Sequence, residues 1–282
     1  MGDGPEYVVA SREGLYIVDH AKWRLAAEGR FFGVTVHKAD IFCFKLIILE
    51  DDRGQTRFGQ IVRYRFIDNK RLGEPEILID GLDYNCHQVD FFDSSFFVVD
   101  TRGQRLLEFD ENWRSAAIHQ ILPPAAEKSP GYAHLNSFLG HDRSIYVMLH
   151  NQQRRLPSEI IEFDRKFAER RRITLPWTGC HDIVRLEDGQ LLFCESLRGR
   201  LSCDDGSSHQ IDKLLTRGLA VGEDEIAVGS SLYGKRIARV LLPGFVTFLD
   251  RSYQRVARLY LPAAPTQIRR LDGSDLSLSR PR

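Results

Sequence analysis

One residue pattern recurs along the chain, and it restricts the folds open to it. A polar entry leads into an apolar run, an acidic or Gly turn, a β-branched and aromatic run, a polar loop, and a third apolar run ending in Asp. The pattern is clearest in "CHQVDFFDSSFFVVDTRGQRLLEFDENW" from Cys86 and in "AHLNSFLGHDRSIYVMLHN" then "EIIEFDRKF" from Ala133. It returns in "RGLAVGEDEIAVGSS" then "FVTFLDRSY" from Arg217. Alternating β-branched and aromatic runs broken by turn residues read as strands. The closing aspartates, Asp19, Asp68, Asp110, Asp164, Asp204 and Asp250, are 49, 42, 54, 40 and 46 residues apart. That is the spacing of four-stranded propeller blades.

Six aspartates predict an all-β, six-bladed β-propeller with four antiparallel strands per blade. The N-terminus supplies only three strands before the second unit begins: "YVVAS", "GLYIVD" and "WRLAAEG". "TQIRRLDG", residues 266 to 273, supplies the fourth, so N- and C-terminal strands share the last blade and leave no long sheet edge exposed. No linker divides the chain, which reads as a single domain over 1–282, with the polar tail 274–282 expected to be flexible. "EDDRGQTRFGQ" (50–60) and "NQQRRLPS" (151–158) read as long loops on the face that carries the site. Trp23, Trp113, Phe109, Phe163 and Phe248 recur at third strands or turns, as core and blade-to-blade packing.

The first hairpins "RGLAVGEDEIAVGSS" (217–231) and "CHDIVRLEDGQLLFCES" (180–196) resemble those of the NHL-repeat and SMP-30/gluconolactonase-like six-bladed propellers. The resemblance spans nearly the whole chain as pattern and implies the fold. Propellers of this kind include lactonases, lyases, hydrolases and binding scaffolds, so it leaves the activity open.

In such a blade the start of strand one and the end of strand two meet at the same mouth of the central channel. Aligned hairpins put His37, His87, His134, His181, Arg217 and Thr266 in an entry ring. The exit ring reads Glu50, Asp100, His150, Glu195, Gly229 and Ala10. Nine His occur in the chain, yet four of them fall on six entry positions, an excess that needs a cause. A structural cause is an imidazole bonded to a neighbouring backbone carbonyl. A chemical cause is a metal, since neutral imidazole is the commonest ligand for Zn and Fe and carboxylates orient it. The expected ligands are His87, His134 and His181, with His37 as the fourth, around a divalent transition metal: Zn, Fe or Mn. His150, Glu195, Asp100 and Glu50 are the candidate catalytic bases. Arg102, Arg198 and Arg217 are the candidate substrate clamp for a carboxylate or phosphate.

SMP-30-like lactonases hold their metal among Glu, Asn and Asp. The imidazole-rich set here suits a softer ion. Its four-His scheme is similar to the iron site of carotenoid oxygenases, which are larger seven-bladed proteins.

Composition removes other classes. Lys plus Arg and Asp plus Glu both total 39, so no net field draws nucleic acid or an anionic membrane. No apolar run approaches a membrane span, the first residues carry no signal segment, and Glu6 stands where a myristoylation motif wants Ser or Thr. The expectation is a cytoplasmic protein, monomeric in the absence of any interface signal. Five cysteines without a CxxC pair read as buried thiols, Cys86 and Cys180 among them. There is no GxSxG elbow, HExxH helix, P-loop or GxGxxG turn.

The sequence therefore predicts a metal-dependent enzyme, a hydrolase or lyase, acting on a small polar or anionic molecule at the channel mouth. Two alternatives stand beside it. One is a non-heme iron oxidoreductase using the His-rich site; the other is a noncatalytic propeller scaffold that binds a protein or peptide.

Overall fold

A computed structural model of the chain describes residues 5–51, 54–67, 71–232, 242–276 and 278–279. The first strands, β1 (Tyr7–Ser11), β2 (Gly14–Val18) and β3 (Trp23–Glu28), belong to the closing blade. Next come β4 (Arg30–His37), β5 (Asp40–Asp51), β6 (Gly54–Tyr64) and β7 (Glu76–Leu82), then β8 (Cys86–Phe92), β9 (Ser95–Asp100), β10 (Arg105–Phe109) and β11 (Ser115–Gln120). The fourth blade is β12 (Leu135–His141), β13 (Ser144–Leu149), β14 (Glu159–Asp164) and β15 (Glu169–Thr174). The fifth is β16 (His181–Arg185), β17 (Leu191–Glu195), β18 (Arg200–Cys203) and β19 (Ser208–Gln210). The sixth is β20 (Leu215–Val221), β21 (Glu225–Ser231), β22 (Gly244–Asp250) and β23 (Arg255–Leu261), after which β24 (Pro265–Arg270) returns to pair with β1. Six four-stranded antiparallel sheets result, the closing one in the order β24-β1-β2-β3. Among the described residues no helix is long and apolar enough to cross a membrane.

The periodic aspartates have a physical role. Asp19, Asp110, Asp164 and Asp250 each accept two backbone N–H groups of the turn that follows, at 2.8–3.0 Å. Their carboxylates thus supply acceptors to a turn that lacks sheet partners. In the fifth blade Asp205 makes the corresponding bond to Ser207 N, while Asp204 accepts from Leu191 N. Asp68 lies outside the described residues. Three residues after the capping Asp, Trp113, Phe167 and Tyr253 take φ values of 59–61°. That backbone turns their rings onto the preceding blade. Trp113 stacks on Phe42, Phe167 on His119 and Tyr253 on His209. Phe109, Phe163 and Phe248 lie inside the core clusters between blades, and Trp23 sits edge-on to Tyr16. All five cysteines are buried and unbridged.

Two expectations need correction. Residues 50–51 and 54–60 belong to the unusually long β5 and β6, paired out to Asp51↔Gly54, instead of a loop. Sheet hydrogen bonding simply continues past the point where other blades turn. The described part of the tail also packs. Leu276 N bonds Val221 O, Arg270 N bonds Asp275, Ser279 N bonds Asp90, and Gly140 N bonds the Ser279 hydroxyl. Residues 277 and 280–282 lie outside the description.

The innermost strands form the ring that matters for the site. In five blades the first hairpin carries a register shift near its entry: Phe31/Val34, Cys86/Val89, Leu135/Ser137, His181/Val184 and Thr216/Leu219. Such a bulge leaves backbone groups without a ladder partner. Side chains of the neighbouring inner strand bond these groups. Gln267 accepts from Val34 N, Gln88 from Phe138 N, Ser137 from Asp182 N and Asp182 from Gly218 N. Gln88 also donates to Phe138 O. Removing that buried amide strips both groups of their partner, at about 1–3 kcal/mol each before relaxation. Gln88→Ala is therefore expected to lower stability by roughly 2–3 kcal/mol in urea denaturation. Exposed Gln55→Ala should change it by less than about 0.5 kcal/mol.

Candidate functional site

Above this belt lies a cavity of about 200 Å³ at one end of the channel. Four imidazoles form one side of it: His87 from β8, His134 just before β12, His150 just after β13, and His181 opening β16. Neighbouring ring centroids are 5.0 Å apart for His87–His134, 4.9 Å for His134–His150 and 4.7 Å for His150–His181. His134 and His150 face each other across one hairpin, and His150 N bonds His134 O. His134 has φ 59°, a left-handed backbone that costs a non-Gly residue on the order of 1–2 kcal/mol. The surrounding bulge and pairing hold it there.

The rings are oriented through Nδ1. His87 Nδ1 lies 3.0 Å from Asn85 O and 2.8 Å from the Thr101 hydroxyl. His181 repeats the arrangement, with Gly179 O at 3.3 Å and the Ser196 hydroxyl at 3.0 Å. A carbonyl only accepts and a hydroxyl does either, so an Nδ1 that donates to its carbonyl leaves the ring's lone pair on Nε2. Tyr132 Oη stands 3.4 Å from His134 Nδ1. The carbonyl-bonded imidazole weighed from the sequence is thus present, but it engages one nitrogen of each ring. His181 is buried, and its pKa is held well below the usual imidazole value. Burial is the main cause, followed by the cationic forms of His150, Arg217, His134 and His87. The ring stays neutral at neutral pH.

The remaining wall comes from the last and closing blades. Arg217 and Ser231 line it with Arg12, Ala263, Ala264, Pro265 and Thr266. Loops add Glu127, Gln152 and Gln153, the last two from the predicted 151–158 segment.

Other sequence-predicted site residues lie elsewhere. His37 ends β4 at a tight turn, with Lys38 and Ala39 at φ 50° and 65°. Its ring stacks on Phe91 at 4.3 Å. Since β8 carries His87 near its first residue and Phe91 near its last, His37 sits at the opposite end of the channel. The entry position in that blade is occupied by Phe32, 5.8 Å from the His87 ring. Glu50 is exposed near a hairpin tip and accepts from Gln55. Asp100 and Glu195 are buried but absent from the cavity lining. Asp100 accepts from Gly103 N and pairs with Arg105, while Glu195 accepts from Ser202 and pairs with Arg198. Arg102 is exposed beside Asp83, and Arg198 lies over the Trp177 ring at 3.9 Å. Of the three predicted arginines, Arg217 alone lines the cavity.

Thr101, Ser196 and Arg12 were missed. Pleating explains the first two, because the residue after each acid faces the opposite side of the strand. The repeated acid–hydroxyl pairs Asp100-Thr101 and Glu195-Ser196 are the signal that would have found them. Among the described residues, no group of three or more His, Cys, Asp or Glu side chains is arranged to hold a metal ion.

No family model and no curated protein matches the chain. Solved structures do. The nidogen/laminin complex aligns with TM-score 0.66 at 10% identity, covering 94% of this chain and 98% of that one. A streptogramin B lyase aligns with TM-score 0.52 at 13% identity over 96% and 89%. Regucalcin from Agrobacterium tumefaciens, described as a calcium-binding protein, aligns with TM-score 0.51 at 14% identity over 81% and 73%. The chain is a six-bladed β-propeller. At these identities the likeness carries the fold and no activity.

The depressed His181 pKa has a consequence for stability. A base whose folded pKa lies below its unfolded value leaves stability intact above about pH 6.5. That stability is lost as pH falls from there toward the folded pKa, because the unfolded chain takes up the proton first. In the metal-free protein the urea midpoint should therefore drop between about pH 7.5 and about pH 5, and His181→Asn should flatten that drop.

Proposed function

We propose that the propeller is an enzyme acting on a small polar molecule held in the mouth cavity, by elimination or hydrolysis with proton transfer at imidazole Nε2. The observation supporting this reading is the convergence of His87, His134, His150 and His181 on one cavity, with Nδ1 of His87 and His181 tied to carbonyls. Tethering fixes each ring's tautomer and direction, as a catalytic or ligating imidazole requires. His150, flanked by His134 and His181, is the proposed base. In an elimination it takes a proton from the carbon beside a carbonyl. The C–H electron pair becomes the new double bond, and the leaving group departs with the electrons of its own bond. In a hydrolysis it takes a proton from water as the water oxygen adds to a carbonyl carbon and the C=O π pair moves onto oxygen; the adduct then collapses, breaking the bond to the leaving group, which departs with that proton.

The donor chemistry distinguishes among metals. Calcium, named for regucalcin, takes oxygen ligands, and this wall of imidazoles does not fit it. Imidazole nitrogens suit Zn, Fe or Mn, and His87, His134 and His181 are the proposed ligands. Such an ion would supply Lewis acidity toward a carbonyl oxygen. His134→Ala removes the central imidazole of the three. A second reading, oxygen-dependent iron chemistry, is favoured by the presence of a fourth imidazole, His150, in the same cluster.

Elemental analysis of tag-free protein is expected to find about one equivalent of divalent transition metal, falling at least tenfold in His134→Ala. Protein that stays metal-free after soaking in Zn, Fe(II) and Mn salts overturns the metal-dependent reading and favours the noncatalytic scaffold.

A further inference from the structure

We propose that the wall opposite the imidazoles is an anion subsite, built by Arg12 and Arg217, that receives a carboxylate or phosphate group of the ligand. The inference rests on reading the cavity as a ligand site and is independent of any metal.

Three features of the fold support it. First, both guanidinium-bearing residues belong to one sector. Arg217 occupies on β20 the entry position that His87 occupies on β8, and Arg12 directly follows β1 in the adjoining closing blade. Second, Arg12 is stacked. Its guanidinium lies 4.8 Å from the Phe32 ring centroid, and that ring lies 5.8 Å from the His87 ring. A guanidinium stacked on an aromatic face carries its N–H donors in its own plane, the geometry that suits bidentate contact with a planar oxyanion. Third, the same cavity is lined by Ala263, Ala264 and Pro265, small side chains that leave room for a ligand group. Thr266 anchors that stretch by donating to Ala10 O at 2.9 Å.

Charge balance points the same way. Among the described lining residues there are two arginines and one carboxylate, Glu127, so the formal charge of the lining is positive. The volume of about 200 Å³ is smaller than the roughly 300–1,000 Å³ of sites for drug-sized ligands. The ligand is thus a small molecule with one anionic end at the arginines and its reactive carbon near the imidazoles.

The test is calorimetric titration of metal-stripped protein at low ionic strength, with inorganic phosphate in one arm and succinate in the other. Saturable binding of at least one anion is expected, the tighter of the two naming the oxyanion class. Arg217→Met should weaken it at least tenfold and Arg12→Met severalfold. Arg217→Lys should retain part of the affinity, which separates loss of charge from loss of fold. Exposed Arg102→Met, away from the cavity, should stay within twofold of the parent. Absence of saturable binding for both anions, or an equal loss in Arg102→Met, overturns the subsite. Metal content measured on the same Arg217→Met protein keeps this result separate from the imidazole reading, because that variant should hold its metal unchanged.

Discussion

The site depends on how six inner strands are joined to one another. Main-chain ladders run within each sheet, so they cannot set the spacing between blades. That spacing is fixed where a bulge near the entry of the inner strand exposes backbone groups and the next blade offers a side chain to meet them. Gln267 to Val34, Gln88 to Phe138, Ser137 to Asp182 and Asp182 to Gly218 form four links of such a belt. Thr35 to Asp90 adds a side-chain link between the second and third blades. Buried hydrogen bonds of this kind are costly to break and tolerant of only one geometry, so they specify the ring as well as stabilise it.

The imidazoles stand immediately above that belt. A bulge turns the entry residue out of the regular pleat, which lets His87 and His181 face the channel while their preceding cysteines stay in the core. The first strand contributes the ring, and the end of the second contributes the hydroxyl that fixes it. Repetition of this device in two blades, with His134 and His150 paired in the blade between, gives a wall of imidazoles. The three blades that lack histidine at the entry carry Phe32, Arg217 and Thr266 instead, and the cavity acquires a second, cationic side.

Much of the fold was legible in the sequence because its signals are periodic and local. The aspartate period reflects a turn that needs a carboxylate acceptor, and the strand count at the N-terminus dictated closure by residues near 266. The entry histidines were legible for the same reason: each opens or directly precedes a strand of recognisable pattern. Three things were not. Hairpin alignment puts His37 at a strand's entry, but β4 begins seven residues earlier and ends at His37, so the frame in that blade is displaced by several residues. Asp100 and Glu195 match the exit ring by alignment, yet Thr101 and Ser196 meet the imidazoles, because a one-residue offset on a strand decides the face and a bulge in the partner strand shifts that offset without altering composition. The polar tail looked unable to pack, yet its backbone amides find acceptors on several blades.

The account stands on imidazoles held as neutral Nδ1–H tautomers with the Nε2 lone pair facing the cavity. Long-range nitrogen–proton correlation NMR of the histidine rings in metal-free protein reads this directly. His87 and His181 should show a protonated Nδ1 and a bare Nε2 at neutral pH. Rings found as the Nε2–H tautomer, or as imidazolium, would contradict it.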